Sequence, residues 1–243
     1  MFLLKRMISY LELKKRYGSG KPINYRGLTV PVSKTHMPFP IFKQLLEDDY
    51  EDPELMAAEG LIRKDDRVLE LGTGLGIVSA LISRMAPGVT IHSFEANPSL
   101  LPHITQLHQC NGINSVRVTN AILEPNPSSK VRNFHIHKYF AEGSIYQSKL
   151  SNSVIEVPVV DIDILMRDFM PTILICDIEG AEELVIPDSD LSTLRGVVLE
   201  LHPNLVSQAG VNRIYDALTS AGLYPKKELS SKQVVAFERI DGC

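Results

Sequence analysis

The sequence predicts an α/β fold, in which helices cover both faces of a mostly parallel, doubly wound sheet of seven strands. Three observations favour this fold. From residue 65 onward, short β-rich runs alternate with amphipathic stretches. Two later runs, ILICDI at 173–178 and VVLEL at 197–201, are almost continuously apolar, as expected for parallel strands buried on both faces. A glycine-rich segment joins the first strand of this region to its first helix.

The elements of the sheet follow in chain order. We predict strands at 67–71, 89–94, 116–119, 173–178, 197–201, 224–230 and 233–239, and helices at 77–85, 99–109, 181–185 and 211–221. Ser-Ser-Lys between the last two strands predicts an antiparallel C-terminal hairpin. Strand-like runs at 131–140 and 153–160 break the alternation, so we interpret residues 123–165 as a strand-rich insertion at one edge of the sheet.

Residues 1–49 precede this pattern and are predicted to form an N-terminal extension of a domain that spans residues 50–243. Residues 1–26 contain seven basic residues and one acid, which indicates a solvated amphipathic helix; contact with anionic lipid or nucleic acid is the alternative. Apolar residues alternate within 22–33, which predicts a small β-hairpin packed outside the core. An acidic run at 47–52 favours the N-terminus of the helical stretch that follows it.

The composition excludes several classes of protein. Hydrophobic residues make up 44% of the chain, and Gly and Pro number 15 each, which is ordinary for a globular protein and excludes a collagen-like or low-complexity chain. Three cysteines without a Cys-x-x-Cys pair argue against a disulfide framework or a zinc ribbon. No apolar run approaches the roughly 18 residues of a membrane span, and the apolar run before Lys5 is too short for a secretory signal. We therefore expect a cytoplasmic protein without stable membrane insertion.

The strongest chemical signal is the run Glu70-Leu71-Gly72-Thr73-Gly74-Leu75-Gly76 between a predicted strand and a predicted helix. Glycines let the backbone turn sharply and approach a ligand closely, and the following helix presents free N–H groups. The dinucleotide pattern G-x-G-x-x-G fails here, because Ile77 and Ser79 stand where its third glycine is needed. The acid-x-Gly-x-Gly-x-Gly spacing resembles motif I of class I S-adenosylmethionine-dependent methyltransferases. An NAD-type site and a purely structural turn are the alternatives.

Two predicted strand ends carry further candidate ligand contacts. Glu95 follows the second strand, where a carboxylate can accept hydrogen bonds from both ribose hydroxyls of a nucleoside. Asp177 follows the buried strand ILIC, and Glu179 lies in the turn after it. Ligands of open α/β sheets bind outside the carboxyl ends of the strands, so Asp177 is expected to face the crevice at the glycine-rich run. The alternative is that Asp177 only caps the next helix.

At these motifs the chain resembles the FkbM family of methyltransferases. The hallmark of that family, Asp-hydrophobic-Glu-Gly-Ala-Glu, matches residues 177–182. Tyr50-Glu51, the run 94–98 (Phe-Glu-Ala-Asn-Pro) and Glu200-Leu201-His202 extend the resemblance over residues 50–203. The chain departs from the family at motif I, where it has Glu70 and Thr73-Gly74, and at Ile175, where the family often has Lys.

The resemblance implies a Rossmann-like class I methyltransferase fold, S-adenosylmethionine as cofactor, and O-methylation of a hydroxyl on a sugar, a polyketide or another small metabolite. Asp177 is the first candidate for the general base, with Glu179 and His202 behind it. Asn120, at the end of the third strand, is a candidate adenine contact. The predicted cofactor-binding residues are Glu70, Gly72, Thr73, Gly74, Gly76, Glu95, Ala96, Asn120 and Ala121.

Several alternatives stay open at this point. Asp177, Glu179 and His202, with Asn204, could instead ligate a divalent cation, although no dense ligand motif supports a metal. Tyr139 and Tyr146 could line a substrate pocket.

The alternative functions are an RNA methyltransferase and a non-catalytic nucleotide-binding protein of the same fold. We expect a small hydroxyl-bearing partner and no nucleic acid, because no Asn/Asp-Pro-Pro-aromatic motif follows the fourth strand. Whether the protein forms a homodimer stays open.

Overall fold

A computed structural model describes residues 10–137, 143–145, 151–202, 204–231 and 233–240. The described strands are β1 (Ile23–Tyr25), β2 (Leu28–Val30), β3 (Arg67–Leu71), β4 (Thr90–Phe94), β5 (Val116–Thr119), β6 (Ile122–Glu124), β7 (Val131–His137), β8 (Ser151–Asp161), β9 (Ile173–Cys176), β10 (Gly196–Glu200), β11 (Leu223–Pro225) and β12 (Val234–Arg239). The described α-helices are α1 (Tyr10–Gly18), α2 (Phe39–Glu47), α3 (Asp52–Leu61), α4 (Ile77–Ile82), α5 (Leu101–Asn111), α6 (Ile162–Phe169), α7 (Glu182–Val185) and α8 (Gln208–Ser220). None of the described helices is long and apolar enough to cross a membrane.

The central sheet has seven strands in the order β11-β12-β10-β9-β3-β4-β5. Strands β10, β9, β3, β4 and β5 are mutually parallel, and β12 runs antiparallel to both β10 and β11. This topology confirms the predicted parallel sheet with an antiparallel C-terminal hairpin. The carboxyl ends of the five parallel strands meet at one edge, which is where ligands bind in open α/β sheets.

Helices cover both faces of the sheet, because successive strand side chains point to opposite faces. One face buries Leu69, Leu174 and Leu199 against α6, α7 and α8. The other face buries Val68, Ile175 and Val198 against α3 and α4. The continuous apolar runs in the sequence therefore reflect burial on both sides of each strand.

The predicted N-terminal hairpin forms as β1–β2 and packs in a cluster of buried residues separate from the two clusters that cover the central sheet. The alternating residues Ile23, Tyr25, Leu28 and Val30 are all buried against α2, α4 and α5. The hydroxyl of Tyr25 donates a hydrogen bond to the carbonyl of Tyr50 at 2.5 Å. The hairpin thus fixes the segment that leads into α3.

The predicted insertion forms a separate three-stranded sheet in the order β6-β8-β7. Strand β6 is parallel to β8, and β7 is antiparallel to β8. Phe134 and Val157 bury their side chains on one face of this sheet. The insertion thus adds a second, smaller wall beside the carboxyl edge of the main sheet, with Leu123, Glu124 and Phe134 lining the same cavity as that edge.

Element ends differ from the prediction where local hydrogen bonding changes. The predicted strand 224–230 stops at Pro225, and Lys227–Leu229 form a short 3-10 turn instead. The sequence pattern also missed α6, which begins after Asp161, whose side chain accepts a hydrogen bond from the N–H of Asp163. Such a cap satisfies one of the free donors at a helix start.

Candidate functional site

One deep cavity lies at the carboxyl edge of the central sheet. The space between its walls, with the open solvent at its mouth included, is about 1240 Å³. Its wall is formed by the loops after β3, β4 and β9, by the start of α3 and by the small sheet. Apolar side chains dominate, and the described polar lining includes seven carboxylates: Glu51, Glu54, Glu70, Glu95, Glu124, Asp177 and Glu179.

Two glycines of the loop after β3, Gly72 and Gly74, have different structural roles. Gly72 has φ of +86°, and a Cβ built there would lie 1.7 Å from the carbonyl oxygen of Asp177. This glycine therefore allows the ends of β3 and β9 to approach each other. Gly74 has φ of +55°, and a Cβ there would meet nothing within 4 Å. Since Gly74 lines the cavity, its lack of a side chain leaves room for a ligand.

This difference gives a stability prediction. We expect Gly72→Ala to lower the free energy of unfolding by about 3–5 kcal/mol, because left-handed backbone strain adds to a clash with rigid main chain. Gly74→Ala is the matched control, with a loss of about 1–2 kcal/mol from backbone strain alone. Chemical denaturation of both variants measures the difference. Equal losses would contradict the assigned contact between Gly72 and Asp177.

Glu95 ends β4 and holds the glycine loop in place. Its Oε2 accepts a hydrogen bond from the Gly74 N–H at 2.8 Å, and its Oε1 accepts one from the Asn97 N–H at 2.7 Å. A carboxylate offers about four acceptor positions, so Glu95 keeps capacity for hydroxyl donors in the cavity. Burial raises the pKa of Glu95 to about 7, although backbone N–H groups oppose this shift.

Two predicted cofactor contacts have other roles in the structure. The Asn120 side-chain amide donates to the carbonyls of Glu95 and Ala96, at 2.7 and 3.0 Å, so it supports the loop rather than pointing into the cavity. Gly76 begins α4 and packs against Ile104. Neither residue lines the cavity, whereas Glu70, Gly72, Thr73, Gly74, Glu95, Ala96 and Ala121 do.

Glu70 is a buried acid at the base of the cavity, with 2% of its surface exposed. Its Oε2 accepts a hydrogen bond from the Ser93 hydroxyl. Burial raises the pKa of Glu70 from 4.5 to about 7, against the opposing effect of the hydroxyls of Ser93, Ser79 and Thr73. The folded protein therefore holds this proton at a pH where the unfolded chain has released it.

A pH dependence of stability follows from the raised pKa of Glu70. Between about pH 4.5 and 7 the folded state binds more protons than the unfolded state. The contribution of protonated Glu70 to the free energy of unfolding is therefore fully present below pH 4.5 and is lost as the pH rises through 7. We expect the free energy of unfolding of Glu70→Gln, taken relative to that of the wild type, to increase by on the order of 3 kcal/mol when the pH is raised from 5 to 8. Urea denaturation at the two pH values measures this change. A pH-independent difference would contradict the assigned burial of an ionisable Glu70.

A second cluster surrounds His202, where β9 and β10 end beside the start of α3. Asp177 and Glu179 follow β9, and Glu200 ends β10. The carboxylates of Glu51, just before α3, and of Glu54, in its first turn, lie beside that of Glu200. Glu51 and Glu179 have φ of 51° and 52°, a conformation that residues other than glycine rarely adopt. The structure thus brings together the three predicted catalytic residues, Asp177, Glu179 and His202. Their roles stay predictions.

His202 contacts carboxylates through both ring nitrogens. Its Nδ1 lies 3.2 Å from Oε1 of Glu182, and its Nε2 lies 3.3 Å from Oε2 of Glu179 and 3.6 Å from Oδ1 of Asp177. Glu182 is completely buried, and its Oε1 also accepts hydrogen bonds from the N–H groups of Ile178 and Gly180. The backbone after β9 therefore fixes Glu182, which in turn orients the imidazole.

Among the described residues, the carboxyl groups of the cluster outnumber the basic side chains that contact them. Burial and neighbouring carboxylates raise the pKa of Asp177 well above its usual range, and they raise the pKa of Glu51 to about 7 and that of Glu54 to about 8. Burial by itself would lower the pKa of His202. The neighbouring carboxylates of Glu182, Glu179 and Glu200 have the larger combined effect and raise this pKa to about 8. Within the described ranges, no Lys or Arg forms an ion pair with Asp177, Glu182 or Glu200.

Sequence reasoning missed the parts of this cluster that lie outside strand ends. Glu54 reaches the site because α3 packs beside it, and Glu182 because it contacts a histidine 20 residues later. For Glu51 and Glu182, the one signal in the sequence was that both residues lie within motifs that resemble the FkbM family. Asn204 is exposed, and Tyr139 and Tyr146 lie outside the described residues.

Several solved structures are similar to this chain at low sequence identity. A precorrin-6y C5,15-methyltransferase from Geobacter metallireducens is 14% identical, with a TM-score of 0.47, over 78% of this chain and 88% of the other. A TehB-like methyltransferase from Corynebacterium glutamicum is 10% identical, with a TM-score of 0.45, over 82% and 94%. Fibrillarin from Aeropyrum pernix, solved with S-adenosylmethionine bound, is 14% identical, with a TM-score of 0.43, over 77% and 74%. No curated protein matches the sequence significantly.

The family comparison is specific. The model of the methyltransferase FkbM domain matches residues 73–235, which is more than half of the chain. The match includes the glycine loop from Thr73, the β4 end and both strand ends around His202. The chain therefore belongs to the FkbM methyltransferases, which use S-adenosylmethionine as methyl donor.

Proposed function

We propose that this protein methylates a hydroxyl oxygen of a small, uncharged or cationic acceptor, with Asp177 as the general base. The observation that carries the proposal is the position of Asp177. It lines the cavity, and its backbone carbonyl packs directly against Gly72 of the glycine loop. A proton acceptor and the predicted cofactor loop therefore share one wall.

The residues of the cavity fit S-adenosylmethionine. The open space at Gly74 admits a ligand beside the loop, and the spare acceptor positions of Glu95 suit ribose hydroxyls. Phe94, Leu100 and Ala121 offer apolar surface for a purine. When bound, the cofactor supplies a methyl group on a positively charged sulfur, which complements the carboxylates of the wall.

The side chains of this chain would orient the acceptor and take its proton. An aliphatic hydroxyl is a weak nucleophile until a base removes its proton. The raised pKa of Asp177 makes it a stronger base once ionised, and a positive charge in the cavity would favour the ionised form. Glu179 and His202 lie within 4 Å of each other beside Asp177 and could accept the proton in turn.

The charge of the cavity argues against a nucleic acid acceptor. No Lys, Arg or His is among the described residues that line it, whereas proteins that bind RNA or DNA neutralise phosphates with basic side chains. A phosphate close to Asp177 and Glu179 would be repelled. This argument favours a small neutral or cationic acceptor over RNA.

The test of this proposal is a turnover assay with the full chain, S-adenosylmethionine and panels of hydroxylated small molecules, aminosugars and transfer RNA. We expect a product one methyl group heavier from a hydroxyl-bearing small molecule, detected by mass spectrometry. Methylation of RNA, or of an amine in the absence of any hydroxyl product, would contradict the proposed acceptor.

A further inference from the structure

We propose that the end of the cavity beside the small sheet binds a hydrocarbon chain of the acceptor, so that the methylated hydroxyl belongs to a molecule with an apolar tail. This inference rests on the proposed function, because it takes the acceptor hydroxyl to lie at Asp177. We call the lining of this end the apolar wall. It consists of Leu123 on β6, Phe134 on β7, Ile145, and Leu184 and Val185 on α7.

Three side chains of the apolar wall are not part of the hydrophobic core. Phe134, Ile145 and Leu184 belong to none of the three hydrophobic clusters that the described residues form. All three nevertheless line the cavity. Apolar side chains that face a cavity gain free energy only when another apolar surface covers them. Core packing therefore does not account for their apolar character, whereas an apolar ligand does.

The apolar wall lies beside the proposed base rather than beside the glycine loop. Oγ of Ser144 donates a hydrogen bond to the carbonyl of Glu179 at 2.9 Å. The main chain of Ser144 also pairs with that of His135 in both directions. These contacts hold the neighbouring residues, Ile145 and Phe134, next to the turn after β9. The surface proposed for the purine lies after β4 and β5 instead.

The charge at this end of the cavity is neutralised. Glu124 is the one charged residue among the described lining residues of the small sheet. Its carboxylate accepts hydrogen bonds from Nε and Nη2 of Arg132 at 2.6 and 2.5 Å. The other described carboxylates of the lining lie on or beside α3, β3, β4 and β9. An apolar chain at the small sheet therefore covers no unpaired charge, which would be costly to bury.

The apolar wall continues to the mouth of the cavity. Leu184 lines the cavity although 42% of its surface is exposed, and its helix α7 packs against β6. A hydrocarbon chain can thus extend outward along the wall. A free sugar or polyol would place hydroxyl groups against the same surface without hydrogen-bond partners, which weakens binding. The structure therefore favours an acceptor with a hydrocarbon tail over a free sugar.

The competing occupant of the apolar wall is the purine of the cofactor. The two possibilities differ in which affinity depends on the wall. If the wall binds the acceptor, its side chains affect the affinity for an apolar alcohol and not the affinity for S-adenosylmethionine. If it binds the purine, the reverse holds.

The experiment measures the binding of straight-chain alcohols, from butanol to octanol, to the full chain saturated with S-adenosylhomocysteine, the cofactor without its methyl group. Ligand-observed NMR titration gives the dissociation constants. We expect each added methylene to lower the dissociation constant about threefold until the wall is covered. Hexanediol with a hydroxyl at each end is the matched probe, and it is expected to bind at least about tenfold more weakly than hexanol. An affinity for hexanol within about twofold of that for butanol or for hexanediol overturns the proposal.

Two variants locate the binding surface. Leu184→Ser and Phe134→Ala are expected to weaken hexanol binding about fivefold or more and to leave the dissociation constant of S-adenosylmethionine unchanged. Ile164→Ser is the matched control, because Ile164 is 47% exposed on α6 and does not line the cavity. It is expected to change neither affinity. An equal loss in Ile164→Ser, or a loss of cofactor affinity in place of hexanol affinity, overturns the proposal. If a variant does not fold, as judged by circular dichroism, the alcohol series on the wild type decides.

The turnover assay with S-adenosylmethionine tests the proposed function separately. If the alcohol series is flat and a polar hydroxyl compound is methylated, the proposed function stands and the apolar site does not. If the series is steep and no hydroxyl compound is methylated, the apolar site stands and the proposed function does not.

Discussion

Asp177→Asn is expected to lower the turnover number by about 10²–10⁴ while leaving the dissociation constant of S-adenosylmethionine within a few-fold of the wild type. Asparagine keeps the size of the side chain but cannot accept the acceptor's proton. Gly72 of the glycine loop packs against the backbone carbonyl of Asp177, which the substitution keeps, so the cofactor site is expected to survive. Calorimetry and a single-turnover assay measure the two effects separately.

The control for this variant is Glu124→Gln, which removes another carboxylate of the same cavity. Glu124 forms an ion pair with Arg132 and lies on the small sheet, away from the ends of β9 and β10. We expect it to retain most of the activity. Normal turnover by Asp177→Asn would show that the base is elsewhere, and a large loss in Glu124→Gln would show that the general charge of the cavity matters more than the position of Asp177.

Gly74→Arg is expected to abolish detectable binding of S-adenosylmethionine, which requires a loss of at least about a hundredfold, or about 2.7 kcal/mol. The space beside Gly74 is open, so the new side chain has room to extend into the cavity without displacing the protein. Its positive charge would also take the place of the cationic ligand beside the carboxylates. Calorimetry measures the binding, and circular dichroism measures the fold.

Gly74→Ala is the matched control, since a methyl group at this position meets no atom within 4 Å. It is expected to bind the cofactor with close to wild-type affinity. If Gly74→Arg binds S-adenosylmethionine normally, the cofactor does not lie against this loop. If both variants lose binding equally, the backbone conformation of the loop, rather than the space beside it, controls the affinity.

The sheet and the strand-end residues could be predicted because their signals are local. Apolar runs identify β9 and β10, and parallel strands bring their carboxyl ends to one edge, which places Asp177 and His202 together. The glycine loop could be placed for the same reason, since its spacing fits a strand, a turn and a helix. These inferences needed no knowledge of distant contacts.

The remaining parts of the site depend on tertiary contacts that no local pattern encodes. Glu51 reaches the cavity because the hairpin β1–β2 fixes the preceding residue through the hydrogen bond from Tyr25 to Tyr50. Glu182 matters because of a contact with His202 across the ends of two strands. The amide of Asn120 donates to the carbonyls of Glu95 and Ala96, a contact that no local pattern indicates, and its contact with adenine stays a prediction.

The central claim is that the loop after β3 holds S-adenosylmethionine in the cavity at the carboxyl edge of the sheet. Isothermal titration calorimetry of the wild-type chain with this nucleoside, with NAD as the comparison ligand, tests the claim most directly. We predict one molecule of S-adenosylmethionine bound per chain and no measurable heat from NAD. Saturable binding of NAD, or no binding of the sulfonium nucleoside by a folded protein, would contradict it.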